Sequence, residues 1–321
     1  MKWKVRTIGA VLVASIAPWV HAQDYPARSI RIIVGSPAGG GTDLIGRLIA
    51  KKLTEAWGQQ VIVENRTGAA GNIGAEAMAR AVPDGYTLGI VPAGHAIAPS
   101  LYPKLPFDAI KDFTPISLLA SAHNVLVVAP SLPVASVKDL VALARRRPGE
   151  MTFASGGVGS ITHLATEYFR NVAGINAIHV PYKGSSQAEI DLAGGQVFFM
   201  VDTMPSAWPN IQARRTRALA TTGPTRSAAL PSVPTVLESG LKYQSISWWG
   251  MVGPARLPQP VVSKLHAEIT RAMASADVKE LLSSQGADVT TGTPQQFIDW
   301  LRQETAHYAG VIRNANVRID Q

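Results

Sequence analysis

The sequence predicts an α/β protein of two lobes, and three observations carry that reading. Strand, Gly-rich loop and helix alternate along most of the chain. A Gly-rich strand-to-helix turn at 35–43 has a counterpart at 155–160. The 321 residues, 46% of them hydrophobic, exceed the roughly 100–200 usual for one domain, so the core is ample and divided in two.

The elements follow in order. Lys2, Lys4 and Arg6 precede an apolar stretch from Ile8 to Val20, which Val20-His21-Ala22 closes. That is the pattern of a cleavable export signal over residues 1–22. Its apolar run falls short of the roughly 20 residues that span a bilayer, so the mature chain is expected to be exported and soluble. Ser29–Val34 reads as a strand and Gly35-Ser36-Pro37-Ala38-Gly39-Gly40-Gly41 as a loop. A helix follows, with Thr42 or Asp43 available to cap it and with Leu44, Ile45, Leu48, Ile49, Leu53 and Trp57 at helical spacing up to Gly58.

The same grammar repeats with a strand at 60–64, a loop at 65–71, a helix from 72 to about 82, a turn at Pro83-Asp84-Gly85 and a strand at 86–91. Further on, strands are expected at 124–129, 151–154, 177–180 and 196–201, and helices at 137–147, 160–172 and 185–193. Such alternation implies mostly parallel sheets. Three helical patterns, at 260–274, 277–285 and 294–314, dominate the last third and are expected to pack back on the first lobe.

Composition narrows the function classes. Lys and Arg total 30 against 22 Asp and Glu, a net charge of +8; residues 1–22 hold three cations and no acid, so +5 remains without them. The cations are scattered, and the cluster Arg145-Arg146-Arg147 sits before Pro148-Gly149, where it complements a helix C-terminus. Nucleic acid is therefore not an expected partner. The chain has no cysteine, which removes thiol catalysis, disulfides and Cys-based metal sites together. Its seven histidines are too dispersed to suggest zinc, so neither a metal nor another cofactor is expected.

The candidate site lies at the two Gly-rich turns. Open α/β sheets take ligands beyond the carboxyl ends of their strands, where helix N-termini offer unpaired N–H groups to anions. Ser36, Ala38, Gly39, Gly40, Gly41, Thr42 and Asp43 in the first turn, and Ser155, Gly157, Gly159 and Ser160 in the second, are the candidates to hold a carboxylate or phosphate. Neither turn contains Arg or Lys, and Arg66 and Lys183 are the nearest cations by motif. A packing role for the glycines is the alternative reading. Gly39-Gly40-Gly41 lacks the G-K-[ST] ending of a phosphate loop, and no G-x-G-x-x-G spacing occurs, so a nucleotide is not expected.

Two further residues are candidates with competing structural roles. His163 either contacts the ligand or satisfies a local hydrogen bond. Asp202, ending the apolar strand Val197–Val201, is expected to emerge at the ligand edge of the sheet or to cap the following helix. Trp248-Trp249 are expected in core or hinge packing, facing opposite ways from one strand. Ser155, Ser160, His163 and Asp202 supply the residue types of a hydrolytic triad, but there is no G-x-S-x-G elbow, S-x-x-K or H-E-x-x-H.

Several segments together carry a family resemblance: S-P-A-G-G-G-T-D at 36–43, V-E-N-R-T-G-A-A-G-N-I-G at 63–74, P-D-G-Y-T-L at 83–88, V-P-Y-K-G at 180–184, G-G-Q-V at 194–197, L-P-S-V-P-T-V-L-E-S-G at 230–240 and W-W-G at 248–250. In this order, through nearly all of the chain after the signal, it resembles the Bug-type solute-binding receptors of tripartite tricarboxylate transporters. The resemblance implies a type II periplasmic-binding-protein fold, with two α/β lobes closing on a small carboxylate ligand and no chemistry performed on it. It implies a periplasmic location, a monomer, integral membrane transporter subunits as partners, and a carboxylate held partly through water by the turns at 36–43 and 155–160, with Asn65, His163 and Asp202 nearby. The expected division is 23–123 plus 226–321 for one lobe and 124–225 for the other. Signalling to a membrane sensor, or a periplasmic serine hydrolase, are the alternative functions. The chain departs from the family pattern at Gly35 and Ser36, where Pro and an aromatic are usual, and at Phe198, often Asp.

Overall fold

The computed structural model describes residues 25–315, and the export signal expected at 1–22 lies outside them. In chain order the elements are β1 (Ile30–Val34), α1 (Gly41–Trp57), β2 (Val61–Asn65), α2 (Asn72–Ala79), β3 (Thr87–Pro92), α3 (Gly94–Leu101), β4 (Phe113–Val128), α4 (Val137–Arg146) and β5 (Met151–Ser155). Then come α5 (Ile161–Ala173), β6 (Ala177–Pro181), α6 (Ser185–Ala193), β7 (Phe199–Thr203), α7 (Met204–Gln212), β8 (Arg217–Thr221), β9 (Ile246–Pro254), α8 (Gln259–Ala274), α9 (Ala276–Ser284), β10 (Ala287–Val289) and α10 (Pro294–Ala315).

The strands run in the order β2-β1-β3-β9-β4-β7-β5-β6, with β8 and β10 also paired to β4. β4 changes partners along its length. Residues Phe113–His123 pair with β9, whereas Asn124–Val128 pair with β7 and β8. One long strand thus belongs to two sheets and links the lobes. β1, β2 and β3 are parallel, as are β5, β6 and β7, but β9 and β4 run antiparallel to their neighbours. The expectation of mostly parallel sheets therefore fails at the centre, where β4 and β9 join the lobes.

Burial explains the strand sequences. β1, Ile-Arg-Ile-Ile-Val, is buried everywhere except Arg31, because helices cover both faces of its sheet. α1 stops where Gly58 adopts a left-handed conformation (φ 66°), and α5 stops in the same way at Gly174 (φ 59°). One core packs α1, α8 and α9 residues such as Ile45, Leu265 and Leu282 against β1 and β4. Another joins Ile97 of α3, Trp248 of β9 and Phe297 of α10. The second sheet has its own cores, around Phe153, Phe169 and Phe199 on one face and Val127, Met200 and Met204 on the other. Val236 and Tyr243, from the stretch that the expected division assigns to the first lobe, pack in the core of the second sheet.

Candidate ligand-binding cleft

A cavity of about 100 Å³ lies where the lobes meet. Helix starts surround it: Gly40, Gly41 and Thr42 at α1, Gly71 and Asn72 at α2, Ala93 and Gly94 at α3, Ser160 and Ile161 at α5, Gly184 and Ser185 at α6, and Thr203 before α7. Each presents backbone N–H groups and the positive end of a helix dipole, and together they make a strongly anion-attracting enclosure. No Asp or Glu lines it among the described residues, and Lys183 is its one Lys or Arg. Ser36 Oγ and Asn72 Nδ2 are buried without a hydrogen-bond partner, and both residues line the cavity. A buried polar group left unpaired costs about 1–3 kcal/mol, so a ligand oxygen meeting these two atoms recovers that cost. Met78, Ile90, Trp248 and Trp249 supply the apolar wall.

The first turn is held from behind. The Asp43 carboxylate accepts from Gly39 N–H (3.0 Å), Arg47 Nε (2.9 Å) and Asn65 Nδ2 (2.9 Å), and the same Asn65 amide donates to Ser36 O (2.8 Å). Burial alone would raise the Asp43 pKa, but the Arg47, Asn65 and Gly39 donors hold it below the ordinary carboxylate value. Asp43 neutralises nothing in the cavity. Gly40, which has no side chain to offer, occupies the cap position, so neither Thr42 nor Asp43 caps α1. Thr42 Oγ1 accepts from Trp249 Nε1 (3.1 Å), fixing an indole at the cleft wall. Gly35 has a packing reason: a Cβ there would lie 2.8 Å from the Gly71 backbone, so β1 meets the start of α2 backbone to backbone. Beside it, Ala69 (φ 47°) and Ala70 (φ 55°) hold left-handed conformations that alanine rarely adopts, and Ala70 lines the cavity.

The second turn is braced by two histidines. Ser160 caps α5 by accepting from His163 N–H (3.1 Å), and Gly159 N–H donates to His163 Nδ1 (3.2 Å). Ser155 Oγ contacts His179 Nε2 (2.6 Å) and accepts from Gly157 N–H (3.1 Å). The His163 and His179 rings stack at 4.2 Å. Burial lowers His163 to about 3, helped by His179 and Arg170, and lowers His179 to about 4, so both are neutral and brace the loop through their hydrogen bonds and as apolar plates.

Of the sequence candidates, Ser36, Gly40, Gly41, Thr42 and Ser160 line the cavity. Ala38, Gly39, Asp43, Asn65, Ser155, Gly157, Gly159, His163 and Asp202 do not. His163 satisfies the local hydrogen bond that was its competing role. Asp202 is fully buried; Oδ1 accepts from Thr203 N–H (2.7 Å), and its carboxyl turns inward to Glu189 rather than to the ligand edge. The α2, α6 and α7 starts, expected as helices but not as cavity walls, and the unexpected α3 start complete the enclosure. Asn72 belongs to the family-like segment 63–74, but nothing in the sequence marks its amide as unpaired. The hydrolytic constellation is not assembled: Ser160 caps a helix, the Ser–His contact joins buried Ser155 to His179, and Asp202 pairs with neither.

The lobes touch across the cavity. Tyr102 Oη, after α3, donates to Val158 O (2.7 Å), and a Cβ on Gly184 would lie 2.4 Å from Pro37 Cδ. Two α/β lobes joined by shared strands and shut over a cavity of helix N-termini define a type II periplasmic-binding-protein fold, a class that binds solutes. The sequence matches the family described as tripartite tricarboxylate transporter family receptor over residues 45–317, and the chain belongs to that family. It is 36% identical to Protein BugT of Bordetella pertussis over 312 residues, 96% of either chain. A solved structure described as R. palustris Rpa4515 with adipate superposes with a TM-score of 0.90 at 35% identity, covering 92% of this chain and 99% of that one. The periplasmic binding protein BugD superposes at 0.89 with 32% identity, covering 92% and 99%.

Proposed function

We propose that the chain is an exported periplasmic receptor that shuts its two lobes on a small carboxylate and presents it to the membrane subunits of a tripartite tricarboxylate transporter. One observation carries the ligand assignment: the cavity is walled by helix N-termini, holds no acidic side chain among the described residues, and keeps Ser36 Oγ and Asn72 Nδ2 unpaired. A carboxylate supplies the acceptors these donors lack, and neutral dipoles with a single Lys183 avoid the desolvation cost of a buried ion pair. The adipate in the Rpa4515 structure supports a dicarboxylate of similar size. The export-signal pattern read in residues 1–22 supports the location, and a free monomer suits a carrier that shuttles to a membrane partner.

The lobes of this reading divide at His123/Asn124, where β4 changes sheets. We assign the returning crossing to the start of β9 and 226–245 to the second lobe, a reading supported by Val236 and Tyr243 in the core of the second sheet. Thermal-shift screening against linear dicarboxylates, aromatic acids, amino acids and neutral sugars tests the ligand class, because binding to the native state alone raises the melting temperature. Stabilisation by sugars alone would refute the carboxylate reading. A scattering profile unchanged at saturating ligand would refute closure.

A further inference from the structure

Behind the second-lobe wall, two carboxyls meet. Glu189 on α6 and Asp202 at the end of β7 are 1% and 0% exposed. Each has one satisfied oxygen: Glu189 Oε2 accepts from Asn210 Nδ2 (3.2 Å) and Asp202 Oδ1 from Thr203 N–H (2.7 Å). The others, Glu189 Oε1 and Asp202 Oδ2, receive no N–H; the Thr216 hydroxyl lies beside Glu189, the Ser185 and Ser206 hydroxyls lie beside Asp202, and the two carboxyl side chains lie against each other. Two carboxylates in contact in a dry interior repel unless one of them carries a proton. The pair adjoins the cleft through Thr203, whose N–H it takes, and through Ser185, whose side chain lies against Asp202; both residues line the cavity.

We propose that Glu189 is a positioning residue for ligand binding: it stays protonated, donates its proton to Asp202, and so holds the Ser185 and Thr203 wall in register. This rests on the cleft being the ligand site. The charged groups on neighbouring elements are engaged elsewhere. Asp191 accepts from Tyr182 Oη, Lys183 lines the cleft, and Arg214 and Arg215 are exposed. Arg217 donates to Leu132 O, Glu167 pairs with Arg170, and His163 and His179 face each other under the second turn. Burial pushes Asp202 up to about 6 and Glu189 well above the ordinary value, in keeping with one shared proton at neutral pH.

The test compares wild type with Glu189→Gln, which keeps an N–H donor of the same shape, and Glu189→Leu, which has none. Adipate affinity at pH 7.5 is expected to fall about tenfold in Glu189→Leu and less than about twofold in Glu189→Gln. The second readout needs no ligand. A carboxyl whose pKa is raised by folding destabilises the native state above that pKa, and the penalty is relieved as pH falls through it toward the ordinary carboxylate value. Asp202 should therefore contribute an inflection near pH 6 to the melting temperature of the ligand-free protein, opposite in sign to the contributions of His95, His163 and His179 and read as the difference between variant and wild-type profiles; it moves upward in Glu189→Leu, where Asp202 has lost the Glu189 donor, and stays in place in Glu189→Gln. Equal damage in both variants, or an inflection unmoved in Glu189→Leu, overturns the proposal. If Glu189→Leu does not fold, Asp202→Asn replaces it, and a melting profile against pH unchanged from wild type in that variant is the overturning result. Failure of wild type to bind adipate counts against the cleft reading alone, since the melting profile still reports on the pair.

Discussion

Replacing Gly184 by alanine should weaken ligand binding without unfolding the protein. Gly184 caps α6 in the second lobe, and a Cβ there would lie 2.4 Å from Pro37 Cδ and 2.5 Å from Cγ in the first. Carbon atoms rest at about 3.5–4.0 Å, so closure over this contact must open by about 1 Å. Its φ of 162° is extended backbone that alanine adopts freely, which leaves the clash as the cost. Overpacking of this kind costs about 1–3 kcal/mol. It acts only when the lobes are shut, so it reduces the binding-competent population and weakens apparent affinity about 5- to 150-fold. Alanine is also a poorer helix cap than glycine. Gly184→Ser separates the two effects, since serine carries the same Cβ and caps well. Calorimetric titration with adipate, beside melting of the ligand-free proteins, is the assay. Both variants should lose affinity, and the serine variant should melt with wild type. Affinities within twofold of wild type for both would refute the reasoning.

Three further outcomes are expected. Tyr102→Phe removes the hydrogen bond to Val158 O that spans the lobes; at about 0.5–1.5 kcal/mol, titration should show roughly 2- to 12-fold weaker binding with an unchanged ligand-free melting point. Asn72→Asp exchanges an unpaired donor in the cavity for a carboxylate; like-charge repulsion should weaken dicarboxylate binding at least about tenfold by the same assay. His95 is buried, its Nε2 bonded to Ala109 O (2.8 Å), and burial lowers its pKa to about 4. The unfolded chain takes up a proton below about pH 6.5 that the folded one refuses until about 4, so stability falls across that window by roughly 1.4 kcal/mol per pH unit. Urea unfolding at pH 7 and pH 5 should show wild type losing about 2 kcal/mol more than His95→Gln.

The sequence made the alternation of β1, α1, β2, α2 and β3 readable because half-buried helices and buried strands leave distinct periodicities, with Gly58 marking a helix end. It hid α3, because Gly94, His95, Ala96, Ile97, Ala98 and Leu101 are all buried and Pro99 lies inside the helix, so no polar face and no clean stop existed to detect. β4 was seen only from Asn124 onward. Its first half contains Pro115 and takes its partner from β9, more than a hundred residues away, a pairing that local pattern does not encode. The two Gly-rich turns were legible as helix starts. Whether a turn residue faces the ligand or the scaffold was not, since that depends on tertiary partners: Arg47 and Asn65 for Asp43, His179 for Ser155, and Glu189 for Asp202.

Anion binding by helix N-termini and unpaired donors is the core of the proposed function. It is tested most directly by calorimetric titration of the purified protein with adipate and with its neutral diamide, which share length and shape and differ in charge and acceptor capacity. One equivalent of adipate per chain binding at least about a hundredfold more tightly than the diamide is the predicted result. Equal affinity for the two would contradict it.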